Sequence, residues 1–190
     1  MADYINIYGQ DILAVASDPA NPTLGQIWYN TTSNTLKGLG VSTAGTWATG
    51  GNLNTARYGL GGTGTQTEAL AFGGFIPPYS AATEEYNGAT WTSNPTGLNT
   101  ARYSPAGAGT QTAGLAFGGS TGAMSGATEE YDGSTWTSNP TGLNTARSDL
   151  AGAGTQTAGL AFGGNGPPVT AATEEYTGAG SPLTVTITAS

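Results

Sequence analysis

The sequence predicts an all-β protein in which three copies of a four-stranded antiparallel unit follow a separate N-terminal segment carrying a β-hairpin. Three observations predict it. Stretches recur with a period of 45 residues, so that residues 92–102 and 137–147 both read TSNPTGLNTAR, and 106–119 and 151–164 both read AGAGTQTAGLAFGG. Gly supplies 32 of the 190 residues and only 8% are charged, which disfavours helices built on Leu, Lys and Glu. Turn-forming residues punctuate each copy at strand-length intervals.

Residues 1–45 stand outside the repeat. Pro19, Asn21-Pro22 and Gly25 interrupt them, and residues 25–38, GQIWYNTTSNTLKG, read as a hairpin turning near Ser33-Asn34. Residues 46–190 form the array, divided at about 46–90, 91–135 and 136–190. Residues 46–49, TWAT, read as a fourth strand with no first three before it.

Each copy then follows one order. After Arg57, Arg102 or Arg147 comes a run of small residues (61–64, 106–109, 151–154), suited to a strand crowded by its neighbours around an axis. The second strand carries Leu and Phe two residues apart, as at Leu70 and Phe72, hence on one face. A double glycine ends it. The third strand runs to Glu84-Glu85-Tyr86, and Asn87-Gly88 or Asp132-Gly133 predicts a two-residue type I′ turn into a fourth strand beginning at Trp91 or Trp136. The last copy loses its Trp strand and ends in the strict alternation of residues 183–188, LTVTIT, which either closes its own blade or adds to a neighbour.

A period in the forties with Arg, small run, double Gly, Tyr and Trp in that order resembles the kelch motif, in which one repeat makes one blade of a β-propeller. The resemblance covers about residues 46–180 and implies three kelch-like blades. Tyr86 and Trp91 lie closer than is usual in kelch repeats, implying a tight outer hairpin. Because that fold hosts unrelated functions, it does not decide activity.

Three blades are too few to close a ring, since propellers use four to eight. Two uncovered apolar blade faces would cost on the order of 10 kcal/mol at about 25 cal/mol per Å². Completion by oligomerisation is therefore expected, two chains giving six blades being the simplest count.

Composition narrows the functional classes. The four cations, Lys37, Arg57, Arg102 and Arg147, form no cluster, and the net charge is -8, so nucleic acid is not an expected partner. No long apolar run or basic amphipathic stretch points to a membrane. Cys and His are both absent, which removes thiolate and imidazole chemistry and the ligands of the copper site found in some kelch oxidases. No enzyme activity, cofactor or metal is expected; Asp132 and Asp149 lack the clustering of a calcium loop, and the GxGT runs at 107–110 and 152–155 lack a phosphate-loop Lys.

The adjacent carboxylates at 84–85, 129–130 and 174–175 point to opposite faces of a strand and so cannot act together on one bond. The expected role is structural, with Arg57, Arg102 and Arg147 pairing with Glu85, Glu130 and Glu175. The candidate contact surface is the one region that differs among near-identical copies, residues 75–80, 120–125 and 165–170. Phe75, Ile76, Tyr79, Thr121, Met124, Asn165 and Val169 are its candidate ligand or partner contacts. Unconstrained loops also diverge, so variation alone does not establish recognition.

The GQIWYN…LKG hairpin is similar to segments of bacteriophage tail-fibre and appendage proteins, and the Thr/Gly-rich repeats resemble those of marine phage structural proteins. That resemblance implies a virion component, a tail fibre, head fibre or decoration appendage. Such a chain is made in the host cytoplasm without a signal peptide, and Met1-Ala-Asp-Tyr-Ile shows none. Expected partners are further copies of the chain, other virion proteins through residues 1–45, and a host-surface glycan. The alternative is a free or cell-surface kelch-type lectin that self-assembles.

Overall fold

The computed structural model describes residues 12–21, 26–40 and 45–179. The alternating segment 183–188 lies outside the described residues. Among those described, all regular structure is β, in fourteen short strands. The chain divides into two compact units, Met1–Ala48 and Thr49–Ser190.

In the first unit, β1 (Leu13–Val15) lies parallel to β2 (Ile27–Asn30), which pairs antiparallel with β3 (Thr35–Gly38). The hairpin is the one the sequence predicts; β1 is an addition too short to show a pattern of its own. Trp28 and Asn30 alternate inward along β2, and Asp18 ties the sheet together. It accepts hydrogen bonds from Trp28 Nε1 (3.0 Å), Asn30 Nδ2 (2.8 Å) and Lys37 Nζ (2.7 Å). The Lys37 bond, helped by Asn30 and Trp28, holds the Asp18 pKa down at about 2. Asn30 Oδ1 accepts the Thr32 and Ser33 amides, and Asn34 adopts φ 54°, so the turn is shaped by the side chains most able to serve there.

The second unit is a row of meanders. Blade 1 has order β4 (Gly61–Gly64), β5 (Ala69–Phe72), β6 (Thr83–Tyr86), β7 (Trp91–Asn94). Blade 2 repeats it as β8 (Ala106–Gly109), β9 (Gly114–Phe117), β10 (Thr128–Tyr131), β11 (Trp136–Asn139). Blade 3 comprises β12 (Ala151–Gly154), β13 (Ala158–Phe162) and β14 (Thr173–Thr177), three strands among the described residues. The Trp strand is the fourth strand of its sheet in blades 1 and 2, as the order of the sequence landmarks predicts.

Two local expectations are corrected. Residues 46–49 form no strand, and Trp47 is fully exposed. The outer hairpin is a four-residue loop, since Tyr86 pairs with Trp91. Gly88 has φ 89° but Asn87 is not left-handed, as a type I′ turn would require. Asn87 instead uses its side chain, Oδ1 accepting the Ala89 and Thr90 amides, and Asp132 does the same for Ser134 and Thr135.

The core lies between blades. Leu70 and Phe72 of blade 1 pack with Leu98, Ala116, Tyr131 and Trp136. Leu115 and Phe117 of blade 2 pack with Leu150 and Ala161, flanked by Leu143 and Tyr176. The inner strands explain the glycines, because a Cβ on Gly107 would lie 2.8 Å from the Gly62 carbonyl and one on Gly152 2.5 Å from that of Gly107. Backbone meets backbone there. Exposure of the repeated Phe follows the same logic: 0% at Phe72, 3% at Phe117, but 39% at Phe162, which no following blade covers among the described residues.

Candidate functional site

Three sets of polar contacts lock the framework that carries the variable loops. In each blade the repeat Arg meets the first glutamate of the adjacent pair: Arg57 with Glu84, Arg102 with Glu129 (2.7 Å), Arg147 with Glu174 (2.9 Å). The expected partners Glu85, Glu130 and Glu175 are therefore corrected by one position. Alternation along the strand is the reason, since one face of β6, β10 and β14 carries the first carboxylate and the opposite face the second. The second meets the next blade on β6 and β10 and is exposed on β14. Burial opposes ionisation of Glu84, but the Asn54 amide (2.7 Å) and Arg57 outweigh it, so its pKa falls below the ordinary value. Burial likewise lowers the Arg102 pKa, with Glu129 opposing. The Nε atoms of all three arginines are buried without a partner, so the pairs are costly to desolvate and serve to orient the link entering each blade.

The second glutamates span the blade junctions. Glu85 accepts from Asn94 Nδ2 (3.2 Å) of its own blade and from the Tyr131 hydroxyl of the next. Glu130 accepts from Asn139 Nδ2 (3.1 Å) and the Tyr176 hydroxyl. Burial, with Glu130 second, pushes the Tyr176 pKa up to about 12; burial and Glu85 raise that of Tyr131 further.

A third contact escaped the sequence reading altogether. Gln111 Nε2 donates backwards to the carbonyls of Ala69 (3.0 Å) and Tyr86 (2.7 Å). Gln156 makes the same pair of bonds to Gly114 (3.1 Å) and Tyr131 (2.6 Å). The recurring TQT was its signal in the sequence, but a periodic polar residue announces no direction.

Among the described residues, the junctions differ in their apolar filling. Between blades 1 and 2, Trp136 packs edge-on to Phe72 (5.0 Å) and donates from Nε1 to Thr83 Oγ1 (2.9 Å). Between blades 2 and 3 there is a cleft of about 240 Å³ bordered by Phe117, Thr128, Leu143, Ala161 and Tyr176. By the 45-residue period the counterpart of Trp136 is Ser181.

The loops between second and third strands stand beside the links that enter each blade, pinned by paired backbone bonds: Tyr58 with Phe75, Tyr103 with Ser120, Ser148 with Asn165. The double glycines make this approach possible, both members taking positive φ in every copy (66° and 111° at Gly73 and Gly74). On blade 1 the result is an aromatic platform. Phe75 lies 5.3 Å from Tyr58, 5.6 Å from Tyr79 and 6.2 Å from Tyr103, while Tyr79 and Tyr103 stack at 5.6 Å with a 13° interplanar angle.

Of the sequence-derived candidates, Phe75 and Tyr79 belong to this platform and Ile76 is exposed in the same loop. Tyr58, 65% exposed, and Tyr103 were missed. Their signal is faint: the residue after the repeat Arg reads Tyr, Tyr, Ser at 58, 103 and 148. Thr121, Met124, Asn165 and Val169 occupy the equivalent loops of blades 2 and 3 and join no aromatic group among the described residues. Thr121 and Val169 are exposed, Met124 and Asn165 half-buried.

Chemically, this is a rigid, tilted aromatic surface with three phenol groups. Such a surface suits the apolar C–H face of a sugar ring, with the phenols answering its hydroxyls. Comparison of the sequence with protein-family models and with curated proteins finds no match.

Proposed function

We propose that the protein is a non-enzymatic structural component of a bacteriophage virion, a tail-fibre, head-fibre or decoration appendage whose kelch-like blades hold a glycan-binding loop face. Residues 1–45 attach it to other virion proteins, and further copies complete the blade array. The observation that carries the binding role is the platform of Tyr58, Phe75, Tyr79 and Tyr103, built on blade loops whose backbones are pinned on both sides. The appendage role draws on the GQIWYN…LKG hairpin and on a framework spent on joining blades. Both glutamates of blades 1 and 2 are engaged in it, Glu84 and Glu129 by arginine, Glu85 and Glu130 by tyrosine. They support joining, not hydrolysis.

Mass spectrometry of purified particles tests the virion assignment; absence of the chain from particles rejects it. A glycan array tests the binding role. Tyr79→Ala, which removes the ring stacked on Tyr103, is expected to weaken glycan binding at least tenfold while leaving the melting temperature within a few degrees. Binding unaffected by Tyr79→Ala places the ligand elsewhere.

A free or cell-surface lectin is the second reading. It is favoured by the platform's confinement to blades 1 and 2, where the residues that form it need no other protein. Glycan binding with no particle association would select it.

A further inference from the structure

The two junctions inside the chain are copies of one interface, and that interface has a direction. The following blade supplies Gln, Tyr and Trp as donors to two carbonyls, a Glu and a Phe/Thr shelf of the preceding blade. This holds for Gln111, Tyr131 and Trp136 on blade 1, and for Gln156 and Tyr176 on blade 2. Thr63, Asn94 and Asn139 of the preceding blades donate the other way, to the Gly109 carbonyl and the Tyr131 and Tyr176 hydroxyls. Among the described residues the array therefore presents two unlike outer faces. Blade 1 presents the donor set, Gln66, Tyr86 and Trp91, at positions one period before Gln111, Tyr131 and Trp136. Blade 3 presents the acceptor set, the carbonyls of Gly159 and Tyr176, the carboxylate of Glu175, and the shelf of Phe162 and Thr173.

Both faces are shaped for contact and, among the described residues, lack the cover of a neighbouring blade, with Tyr86 and Trp91 half-buried. Tyr86 and Trp91 hold the packing of the buried pair Tyr131 and Trp136: ring centroids are 5.0 Å apart in each, tilted 37° and 36°. Gln66 is exposed where Gln111 and Gln156 are half-buried. On the other face Phe162, Thr173 and Glu175 are exposed, whereas Phe72, Phe117, Thr83 and Thr128 are buried. The backbone continues the pattern, since Ser104 N donates to the Gly59 carbonyl (2.6 Å) and Asp149 N to that of Ser104 (3.3 Å), leaving Asp149 as the end of the series.

We propose that blade 3 of one copy docks head to tail on blade 1 of a second copy, with Gln66 donating to the Gly159 and Tyr176 carbonyls, Tyr86 to Glu175, and Trp91 covering Phe162 and Thr173. A two-fold contact of like faces would set Gln66 and Tyr86 against their own copies instead of the carbonyls and carboxylate that accept from Gln111 and Tyr131, so it is disfavoured. The interface is heterologous and closes into a ring where the rotation allows. This deepens the proposed assembly of copies by naming its faces, and it rests on that reading.

The test uses the full chain and two variants at exposed positions, Gln66→Glu and Phe162→Asp. Gln66→Glu sets a carboxylate against two carbonyls; Phe162→Asp puts a charge on the shelf. Analytical ultracentrifugation at micromolar concentration is expected to show an oligomer for the unaltered chain and at least tenfold weaker association for either variant. Far-UV circular dichroism should stay unchanged. An equimolar mixture of the two is expected to recover a one-to-one complex, because the first retains its blade 3 face and the second its blade 1 face. A monomeric unaltered chain, variants that associate normally, or a mixture no better than its parts each overturn the proposal. Particle composition is a separate measurement: a chain present in virions but monomeric removes only the docking, and one that docks but is absent from virions removes only the appendage role.

Discussion

The junction between blades 1 and 2 and the junction between blades 2 and 3 share one polar scheme but not one apolar filling. Both have the buried Arg–Glu pair, the Tyr–Glu link and the Gln clamp. Among the described residues, only the first has an indole, Trp136, on its Phe/Thr shelf, and the second has a cleft. Both junctions also bury apolar side chains, Leu70 and Phe72 at the first and Leu115 and Phe117 at the second, and at the first the indole adds to them. Repeat arrays are nearly sums of units and interfaces, so each can be perturbed in place.

The largest effect should come from the ion pairs, and it should differ between blades. Arg102→Ala leaves Glu129 buried without its charge partner and is expected to cost about 4 kcal/mol in urea unfolding. Arg147→Ala should cost clearly less, because the Glu174 side chain retains 15% exposure against 2% for Glu129 and can recover water. Equal costs would mean that the two junctions do not differ in solvation.

Next comes the indole itself. Trp136→Ala should remove about 3 kcal/mol and give the first junction a cleft like that of the second. Fluorescence of the remaining tryptophans should change little. A loss below about 1 kcal/mol would show that the shelf of Phe72 and Thr83 contributes little to docking.

The smallest effect is the most selective. Tyr131→Phe and Tyr176→Phe should each cost about 1–2 kcal/mol, since Glu85 and Glu130 keep an asparagine donor. The same links predict alkaline sensitivity. The Tyr176 pKa rises from about 10 unfolded to about 12 folded, so its contribution is complete below pH 10 and lost as pH climbs towards 12. Tyrosinate absorbance during alkaline titration checks this, and the Phe variants should lose the corresponding part of the transition.

The loops offer a second contrast, because blade 1 carries Phe75 and Tyr79 where blade 3 carries Asn165 and Val169. Their difference was plain in the sequence. The platform was only half legible. Tyr58 and Tyr103 come from different repeats and are joined to Phe75 and Tyr79 by folding, through contacts that no local spacing encodes.

What the sequence determined by itself was periodic: strand spacing, the inner run of small residues, the double glycines, and the existence of one Arg–Glu pair per repeat. Period reports geometry within a unit, because strand length, turn residues and Cβ alternation are local properties. Only the tertiary structure decided which glutamate of each adjacent pair faces arginine and which faces the next blade, and that Gln111 and Gln156 reach backwards. It also decided that 46–49 stays out of any strand. Adjacent positions on a strand are chemically alike until a neighbouring sheet covers one face, and the identity of that neighbour is a non-local fact.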